Sequence, residues 1–409
     1  YHDPGRPLAF SCEKCGLAAA IAPPKHVANP PGARRARRCP LHAAQGSPHL
    51  ALDADIRPLR EESDWTRIRP AMEALQARAA PSLWMRWDAQ ESLWRLLGDD
   101  TPCWWVEWRD GGASGAMLLR ESRRPGIQHL ASRLRTQDWG AMAMPALLAP
   151  AGEEERALAA LPRVAPQVAR ATGIGVASLH KLHDTGAAQL AAALGAARVP
   201  LASRVFNQRW RIELPDDLDA YLARHKAKAW YNIRRSARLL GGASGLRLQE
   251  VSAPSSTREF FDSAWREFEE LRRQWPASVG ARPAAIEAHH RLLARGWWDD
   301  GIAELLLLRA GERLVAAQLD ARVGTELWVV LMAYDASLAA SSPGRVMMLH
   351  FLEHAHARGD RVVDLGGEGD SWKEFWATGA ERTRTITWPL GGLGGAAWRV
   401  RRRVRGTRQ

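Results

Sequence analysis

The sequence lacks any apolar run approaching the roughly 18 residues that a membrane-spanning helix requires. The longest clear candidate is only Leu305 to Leu308, which lies within a strand-like segment. The first residues also lack the basic stretch followed by an apolar stretch that marks a secretory signal. These absences argue against an integral membrane or secreted protein. They favour a soluble protein of the cytoplasm.

Acidic residues are in the minority. The chain has 45 Asp and Glu against 57 Lys and Arg, which gives a net charge of +12. Such a charge attracts anions, whether nucleic acid, anionic lipid or a phosphorylated cofactor, and does not select among them. The basic excess is concentrated in three stretches, Arg34 to Arg38, Arg224 to Arg238 and Arg399 to Arg408.

Cysteine is scarce, and three of the four cysteines lie in the first forty residues. Cys12 and Cys15 form one closely spaced pair, and Cys39 and His42 form another. Three thiolates and one imidazole are a tetrahedral zinc set, so the spacing predicts a structural Zn²⁺ site in a zinc-ribbon-like module over residues 1–46. The alternative is a set of unpaired thiols in an unfolded leader. A disulfide is disfavoured in a reducing compartment.

The remaining sequence predicts an α/β (α+β) protein with an internal duplication. A chain of 409 residues with 46% hydrophobic content is long and apolar enough for two domains. Three strands, a helix, a strand, a helix and a strand are predicted from Trp104 to Leu214, and the same order recurs from Ile302 to Leu390. No residue-level repeat accompanies this order. We therefore expect two tandem units with mixed central sheets flanked by helices, an N-terminal unit over residues 53–214 and a C-terminal unit over residues 215–390.

A basic tail is expected over residues 391–409. The favoured interpretation is a frayed end, and the alternative is a segment that lies on an anionic membrane surface.

One turn in the C-terminal unit has the composition of an anion site. Ser342, Pro343, Gly344 and Arg345 precede or open a predicted helix. Unpaired amides at a helix N-terminus, a glycine that permits close approach and an adjacent arginine suit a pyrophosphate. The alternative is an ordinary helix start, in which serine caps, proline occupies the first turn and nothing binds.

A second candidate site follows the next predicted strand. Asp364, Glu368, Asp370 and Lys373 lie in or beside a glycine-rich segment at the carboxyl end of that strand, where open α/β sheets place ligands. Transfer of an acyl group to an amine needs a base for the amine proton and donors for the developing oxyanion. These residues are suited to such roles, although acids in a glycine-rich loop are more often simply solvated.

The predicted helix from Asp217 to Leu240 is rich in basic residues and includes Arg234, Arg235, Trp230 and Tyr231. Arginines that share a helix face, with aromatic rings beside them, are suited to phosphate and base contacts. A solvated basic face is the alternative.

These segments together resemble the GNAT-fold acyltransferases of the CelD-like and Fem-like group. The resemblance covers about residues 53–390 and is carried by these motifs: Tyr231-Asn232-Ile233-Arg234-Arg235, Tyr334-Asp335, Ser342-Pro343-Gly344, Asp364-Leu365-Gly366, Trp372-Lys373 and Trp376. It implies two tandem GNAT-like units and an acyl donor, acyl-CoA or aminoacyl-tRNA, over the turn at Ser342 to Arg345. Carried over residue by residue, it implies catalytic roles for Lys373 and Asp364, with Glu368 as a third candidate.

Two positions depart from the family pattern. Trp372 stands where relatives commonly have tyrosine, and indole is no proton donor to a leaving thiolate. Trp230 stands where relatives often have a basic residue.

The expected function is transfer of an acetyl, other acyl or aminoacyl group, from acyl-CoA in preference to charged tRNA, to an amine or hydroxyl acceptor. The alternatives are a zinc-containing basic protein that binds nucleic acid, and a catalytically silent scaffold with the GNAT fold. The sequence does not specify the acceptor or the oligomeric state.

Overall fold

One twelve-stranded mixed sheet runs through the computed structural model. The structure describes residues 52–79, 83–97, 102–110, 113–122, 133–136, 147–274, 284–324, 326–367 and 371–406. The predicted module at residues 1–46, with its four zinc ligands, therefore lies outside the described residues. Residues 49–409 form one structural unit.

The strands are β1 Asp53–Leu59, β2 Cys103–Asp110, β3 Ala113–Ser122, β4 Arg133–Thr136, β5 Val176–His183, β6 Ala202–Glu213, β7 Leu246–Ser252, β8 Ala303–Ala310, β9 Arg313–Val323, β10 Glu326–Tyr334, β11 Val362–Gly367 and β12 Gly379–Pro389. The α-helices are α1 Glu62–Gln76, α2 Trp87–Leu97, α3 Glu154–Thr172, α4 Asp184–Ala196, α5 Leu218–Ala223, α6 Ala227–Gly241, α7 Arg258–Arg273, α8 Ala284–Asp299, α9 Pro343–Ala357, α10 Ser371–Trp376 and α11 Gly392–Gly406. Short 3-10 turns precede α2 and α9, at Leu83–Met85 and Ala336–Ser341.

The same order of elements occurs twice. The series β1, α1, α2, β2, β3, β4, α3, β5, α4, β6 in the first half (residues 53–214) corresponds to β7, α7, α8, β8, β9, β10, α9, β11, α10, β12 in the second half (residues 215–390). The predicted recurrence is present, and it also includes an edge strand and two helices at the start of each series. The repeat is topological because hydrophobic periodicity, rather than residue identity, determines each element.

The two halves exchange their last strands. Across the sheet the strand order is β1-β2-β3-β4-β5-β12-β6-β11-β10-β9-β8-β7. Thus β12 of the second half pairs with β5 of the first, and β6 of the first half pairs with β11 of the second. The expectation of two central sheets is wrong in this respect, because the exchange joins them into one. Whether residues 53–214 and 215–390 count as separate domains remains a prediction.

Helices cover both faces of the sheet, and alternating strand residues divide the core accordingly. In β10, Trp328 and Val330 pack in the cluster that α7 and α8 complete, whereas Leu327 and Val329 pack in the cluster of α6, α9 and α10. The helix pair α1 and α2 shares the face of α7 and α8, since α2 packs against α8. Side chains of a strand alternate between the two faces of the sheet, so α9 and the catalytic candidate of β11, Asp364, are each assigned to one face.

Two local predictions needed correction, and a third lies outside the described residues. The basic segment predicted as one helix consists of α5 and α6, because Lys226 adopts an extended backbone between them. The predicted strand Ile127 to Ala131 is the one outside the described residues, and it stays a prediction. The tail is helical over α11 and packs against β12 and β5 instead of fraying.

Among the described residues, every helix is too short or too polar to cross a bilayer.

Close backbone contact holds α11 to the sheet. Leu390 N–H donates to the carbonyl of Gly175 at 2.7 Å. A Cβ on Gly175 would lie closer than 3.0 Å to backbone atoms of Gly391, Gly394 and Gly395. Only glycine at position 175 therefore allows the start of α11 to approach β5.

We expect Gly175→Ala to lower the free energy of unfolding by about 1–3 kcal/mol, because the added methyl group meets rigid backbone. Thermal or urea denaturation measures this loss. Gly195→Ala is the matched control, since Gly195 lies in α4 where an added Cβ would meet open space, and it should be neutral or slightly stabilising. Equal stability of the two variants would contradict the described packing of α11.

Candidate active site

The neighbouring parallel strands β10 and β11 diverge. They pair in register only from Glu326 to Trp328 on β10 and from Val362 to Asp364 on β11. Beyond those residues β10 continues to Tyr334 and pairs with β9 alone. The last part of β10 consequently faces a gap in the sheet. Backbone groups at such an edge are available to a ligand.

Helix α9 begins at the mouth of this gap. Gly344 lies against the strand end, since a Cβ there would be 3.5 Å from the Tyr334 ring and 3.6 Å from the Met332 sulfur. Ser342 is the residue before the helix, with a left-handed backbone (φ 49°), and its side chain makes no capping hydrogen bond. The structure therefore contradicts the alternative in which the Ser342 side chain caps the helix.

The backbone at this helix start leaves one amide for a ligand. Proline at position 343 has no N–H, and Arg345 N–H donates to the Ser342 carbonyl at 3.0 Å. The amide of Gly344 lies between them in the first turn, where a helix provides no internal acceptor. A phosphate oxygen can serve as that acceptor at the positive end of the helix dipole.

The equivalent helix of the first half has the opposite charge at its start. Glu153, Glu154 and Glu155 surround the N-terminus of α3, whereas the first turn of α9 contains no acid and includes the exposed Arg345. Carboxylates at a helix start occupy the positive end of the helix dipole and repel a second anion. The fold is duplicated, but of these two helix starts only that of α9 suits a phosphate.

The basic helix lies beside that start. Helix α6 packs against α9 and against the 3-10 turn Ala336–Ser341. Arg234 and Arg235 are both exposed, and the Arg234 guanidinium lies 5.0 Å from the centre of the Trp230 ring. The predicted phosphate-binding arginines are thus on the element next to the predicted phosphate-binding turn.

An aromatic group supports Arg345. Its guanidinium lies 5.4 Å from the centre of the Phe375 ring, and Phe375 stacks on His225 with a 4.2 Å separation of ring centres. Burial, followed by the charge of Arg224, lowers the pKa of His225, so this imidazole is neutral at physiological pH. The stack restricts Arg345 to the α9 side of the crevice.

Asp364 is fully buried where β10 and β11 separate. Its carboxylate accepts a hydrogen bond from the Arg209 side chain of β6 and another, at 2.6 Å, from the Gly366 amide. The Arg209 guanidinium also lies 4.8 Å from the centre of the Trp328 ring. Asp364 therefore fixes Arg209 and the end of β11, and both of its oxygens are engaged.

A histidine-carboxylate pair that sequence reasoning missed lies next to Arg209. His183 Nδ1 is 3.0 Å from Glu381 Oε1, and His183 Nε2 is 3.3 Å from Arg209 Nη1. The contact with His183 lowers the pKa of Glu381, so this carboxylate stays ionised and lies against Nδ1 of the imidazole. The side chains of His183 and Glu381 are 31% and 37% exposed, so substrate can reach them.

Lys373, the other predicted catalytic residue, is buried at the start of α10. Its ammonium donates to the Gly367 carbonyl at 2.5 Å. Trp372 packs against the core of the second half. Glu368 lies outside the described residues. Catalytic roles for Lys373, Asp364 and Glu368 remain predictions.

One group of metal-ligating side chains is present among the described residues, namely Glu250, Glu304 and His354, on the α9 face of the sheet. Arg358 donates to both oxygens of Glu304, one of them at 2.7 Å. This carboxylate is therefore engaged in a buried ion pair. The predicted zinc ligands lie outside the described residues.

Comparison with known proteins agrees with this geometry. Residues 225–374 match the family model described as Acetyltransferase (GNAT) domain. The matched stretch is a little over a third of the chain and contains α6, β10, α9 and β11. It supports acyl transfer in general. No curated protein matches the chain.

One solved structure shows a similar fold at low identity. The structure titled "Crystal structure of FemX" is 12% identical, with 81% of this chain and 96% of that chain covered and a TM-score of 0.51. A tandem GNAT protein from the clavulanic acid biosynthesis pathway is 14% identical, with 83% of this chain and 99% of that chain covered and a TM-score of 0.42.

We expect Asp364→Asn to lower the free energy of unfolding by about 3 kcal/mol, because it removes the nearest counter-charge of the buried Arg209 guanidinium and leaves only Glu326, at 3.6 Å. Urea denaturation at neutral pH measures the change. Asp216→Asn is the matched control, because Asp216 pairs with Arg361 at the surface and is 89% exposed, and its loss should have little effect. Similar losses in the two variants would contradict the structural role of the buried pair.

Proposed function

We propose that this protein is an acyltransferase that moves an acetyl or other acyl group from acyl-CoA to an amine or hydroxyl acceptor. The observation that carries the proposal is the divergence of β10 and β11, with the uncapped start of α9 at its mouth, inside the stretch that matches the GNAT domain. A strand edge and a helix N-terminus together suit a ligand that has both amide groups and a diphosphate. CoA has both.

Each part of CoA has a chemically matching surface. The diphosphate accepts a hydrogen bond from the amide of Gly344 and is neutralised by the Arg345 side chain. The amides of the pantetheine arm pair with the free edge of β10, as an added strand would. Arg234 and Arg235 of α6 provide positive charge for the remaining phosphate.

The reaction needs a proton acceptor near the thioester. The acceptor nitrogen or oxygen attacks the acyl carbon, the new C–N or C–O bond forms, and the C–S bond breaks. The acceptor proton passes to a base and the sulfur leaves as thiolate, which takes up a proton. We assign the base role to Nε2 of His183, which takes the proton once the acceptor displaces its 3.3 Å contact with Arg209. Glu381 lies against Nδ1, and the pair is exposed to an incoming acceptor at the seam of the two halves.

A bulge in β10 offers a donor for the developing oxyanion. The register with β9 shifts between Val329 and Leu331, which leaves Val330 as the extra residue. A bulge releases a backbone amide from the strand ladder at the side of the crevice. Such a fixed amide stabilises the negative charge on the carbonyl oxygen. In this scheme Asp364 positions Arg209, and Lys373 holds the end of β11 through the Gly367 carbonyl.

The first test of this function is donor binding. Isothermal titration should detect CoA and acetyl-CoA, and Arg345→Glu should weaken both by about tenfold or more, because it places at α9 the charge that α3 carries. Arg247→Glu is the matched control, since Arg247 is an exposed arginine of the edge strand β7. Absence of binding by the folded wild-type protein, or equal effects of the two variants, would contradict the donor site.

The second test is turnover. With any amine or alcohol that supports CoA release, we expect His183→Gln to lower kcat by about 100-fold or more, with CoA affinity unchanged. His350→Gln is the matched control, because His350 Nδ1 makes an equivalent contact with Glu353 at 3.1 Å on α9. Full activity of His183→Gln would exclude it as the base. If the protein binds CoA but no amine or alcohol supports CoA release from acetyl-CoA, the result would favour the catalytically silent scaffold.

A further inference from the structure

Helix α11 has an apolar stripe that faces away from the protein. Leu393, Val400 and Val404 are 79%, 62% and 54% exposed. At about 100° per residue the three positions lie within roughly 20° of one line along the helix. Their opposite face is the one that meets β5, through the glycine contacts at Gly175. Exposed apolar side chains aligned on one helix form a continuous surface rather than scattered exceptions.

Arginines flank this stripe on both sides. The helix contains five arginines and no acidic residue. On the same helical projection Arg401 and Arg403 lie about 80° to either side of the stripe. Long cationic side chains in these positions extend past an apolar surface towards negative charge at its boundary. This is the pattern of a helix that lies in the plane of an anionic membrane surface.

A cavity on the side of the helix away from the stripe is also lined by arginines, since Trp398, Arg399 and Arg402 lie about 120–180° from the stripe on the same projection. It has a volume of about 510 Å³ and is lined by Arg198, Pro200, Trp398, Arg399, Arg402 and Arg403, with no acid among its lining residues. The Arg402 guanidinium lies 5.5 Å from the centre of the Trp398 ring. Four arginines and no acid around one cavity add to the positive potential at this end of the protein, which attracts an anionic surface.

We propose that α11 docks this protein on a membrane surface rich in anionic phospholipid, with Leu393 and Val400 in the acyl boundary and the flanking Arg401 and Arg403 among the headgroups. The apolar stripe favours a membrane over nucleic acid as the partner of α11. Nucleic acid bound there would place the apolar side chains of Leu393 and Val400 against charged phosphate. A second copy of the chain would bring two arginine-rich helices together. The N-terminal segment of the chain does not suit this helix as a partner either, because it is itself basic at Arg34 to Arg38 and does not complement the charge of α11. The inference is independent of the proposed acyl transfer.

Vesicle flotation with the full chain tests the proposal. We expect binding to phosphatidylcholine vesicles that contain phosphatidylglycerol, little binding to phosphatidylcholine alone, and weaker binding at high salt. The double variant Leu393→Ser, Val400→Ser should reduce binding by about tenfold, since it removes two apolar side chains and no charge. Leu239→Ser with Leu292→Ser is the matched control, because these leucines are 61% and 55% exposed on α6 and α8, and it should bind as wild type.

Other outcomes overturn the proposal. Absence of binding to phosphatidylglycerol vesicles would exclude a membrane surface. Binding that the Leu393 and Val400 substitutions leave unchanged would show attraction by charge elsewhere on the protein. An oligomer in sedimentation velocity that the same substitutions dissociate would identify a second copy as the occupant. Salt-sensitive RNA binding without vesicle binding would identify nucleic acid.

Discussion

The exchange of β6 and β12 between the two halves is the constraint on which the candidate site depends. Because β6 lies against β11, Arg209 of the first half reaches the buried Asp364 of the second. Because β12 lies against β5, Glu381 of the second half reaches His183 of the first. Neither half contains both members of either pair. The Arg209–Asp364 and His183–Glu381 pairs at the centre of the sheet therefore form only when both halves have folded together.

Duplication has produced two equivalent helix starts with different electrostatics. In each half the connection between the strands of a parallel pair, β4 with β5 or β10 with β11, contains one helix, α3 or α9. Three glutamates occupy the start of α3, and an arginine without nearby acids occupies the start of α9. On this account the second half holds the donor, and the first half contributes Arg209 and His183 to it.

Local features of the fold were predictable from the sequence. Hydrophobic periodicity and turn residues located most strands and helices, and proline and glycine located the start of α9 within the segment Ser342 to Arg345. Long-range pairing was not predictable, because strands of either half have the same apolar pattern and no local feature specifies which strand becomes the neighbour. The division between α5 and α6 was missed for the lack of a strong local signal.

The seam residues were missed for the same reason, although a weak signal existed. Arg209, Arg211 and Glu381 are charged residues inside strands of a central sheet, where alternate positions are expected to be apolar. Buried charges in such positions are retained only with partners. That reasoning would have identified the strands as sites of interest, but the pairing of His183 with Glu381 required the register of β12 against β5.

A crystal structure of the protein with CoA tests the central claim most directly. The account predicts diphosphate density against the Gly344 amide and the Arg345 side chain, with the pantetheine arm between the ends of β10 and β11. CoA bound elsewhere, or β10 and β11 paired along their whole length with no space between them, would contradict it.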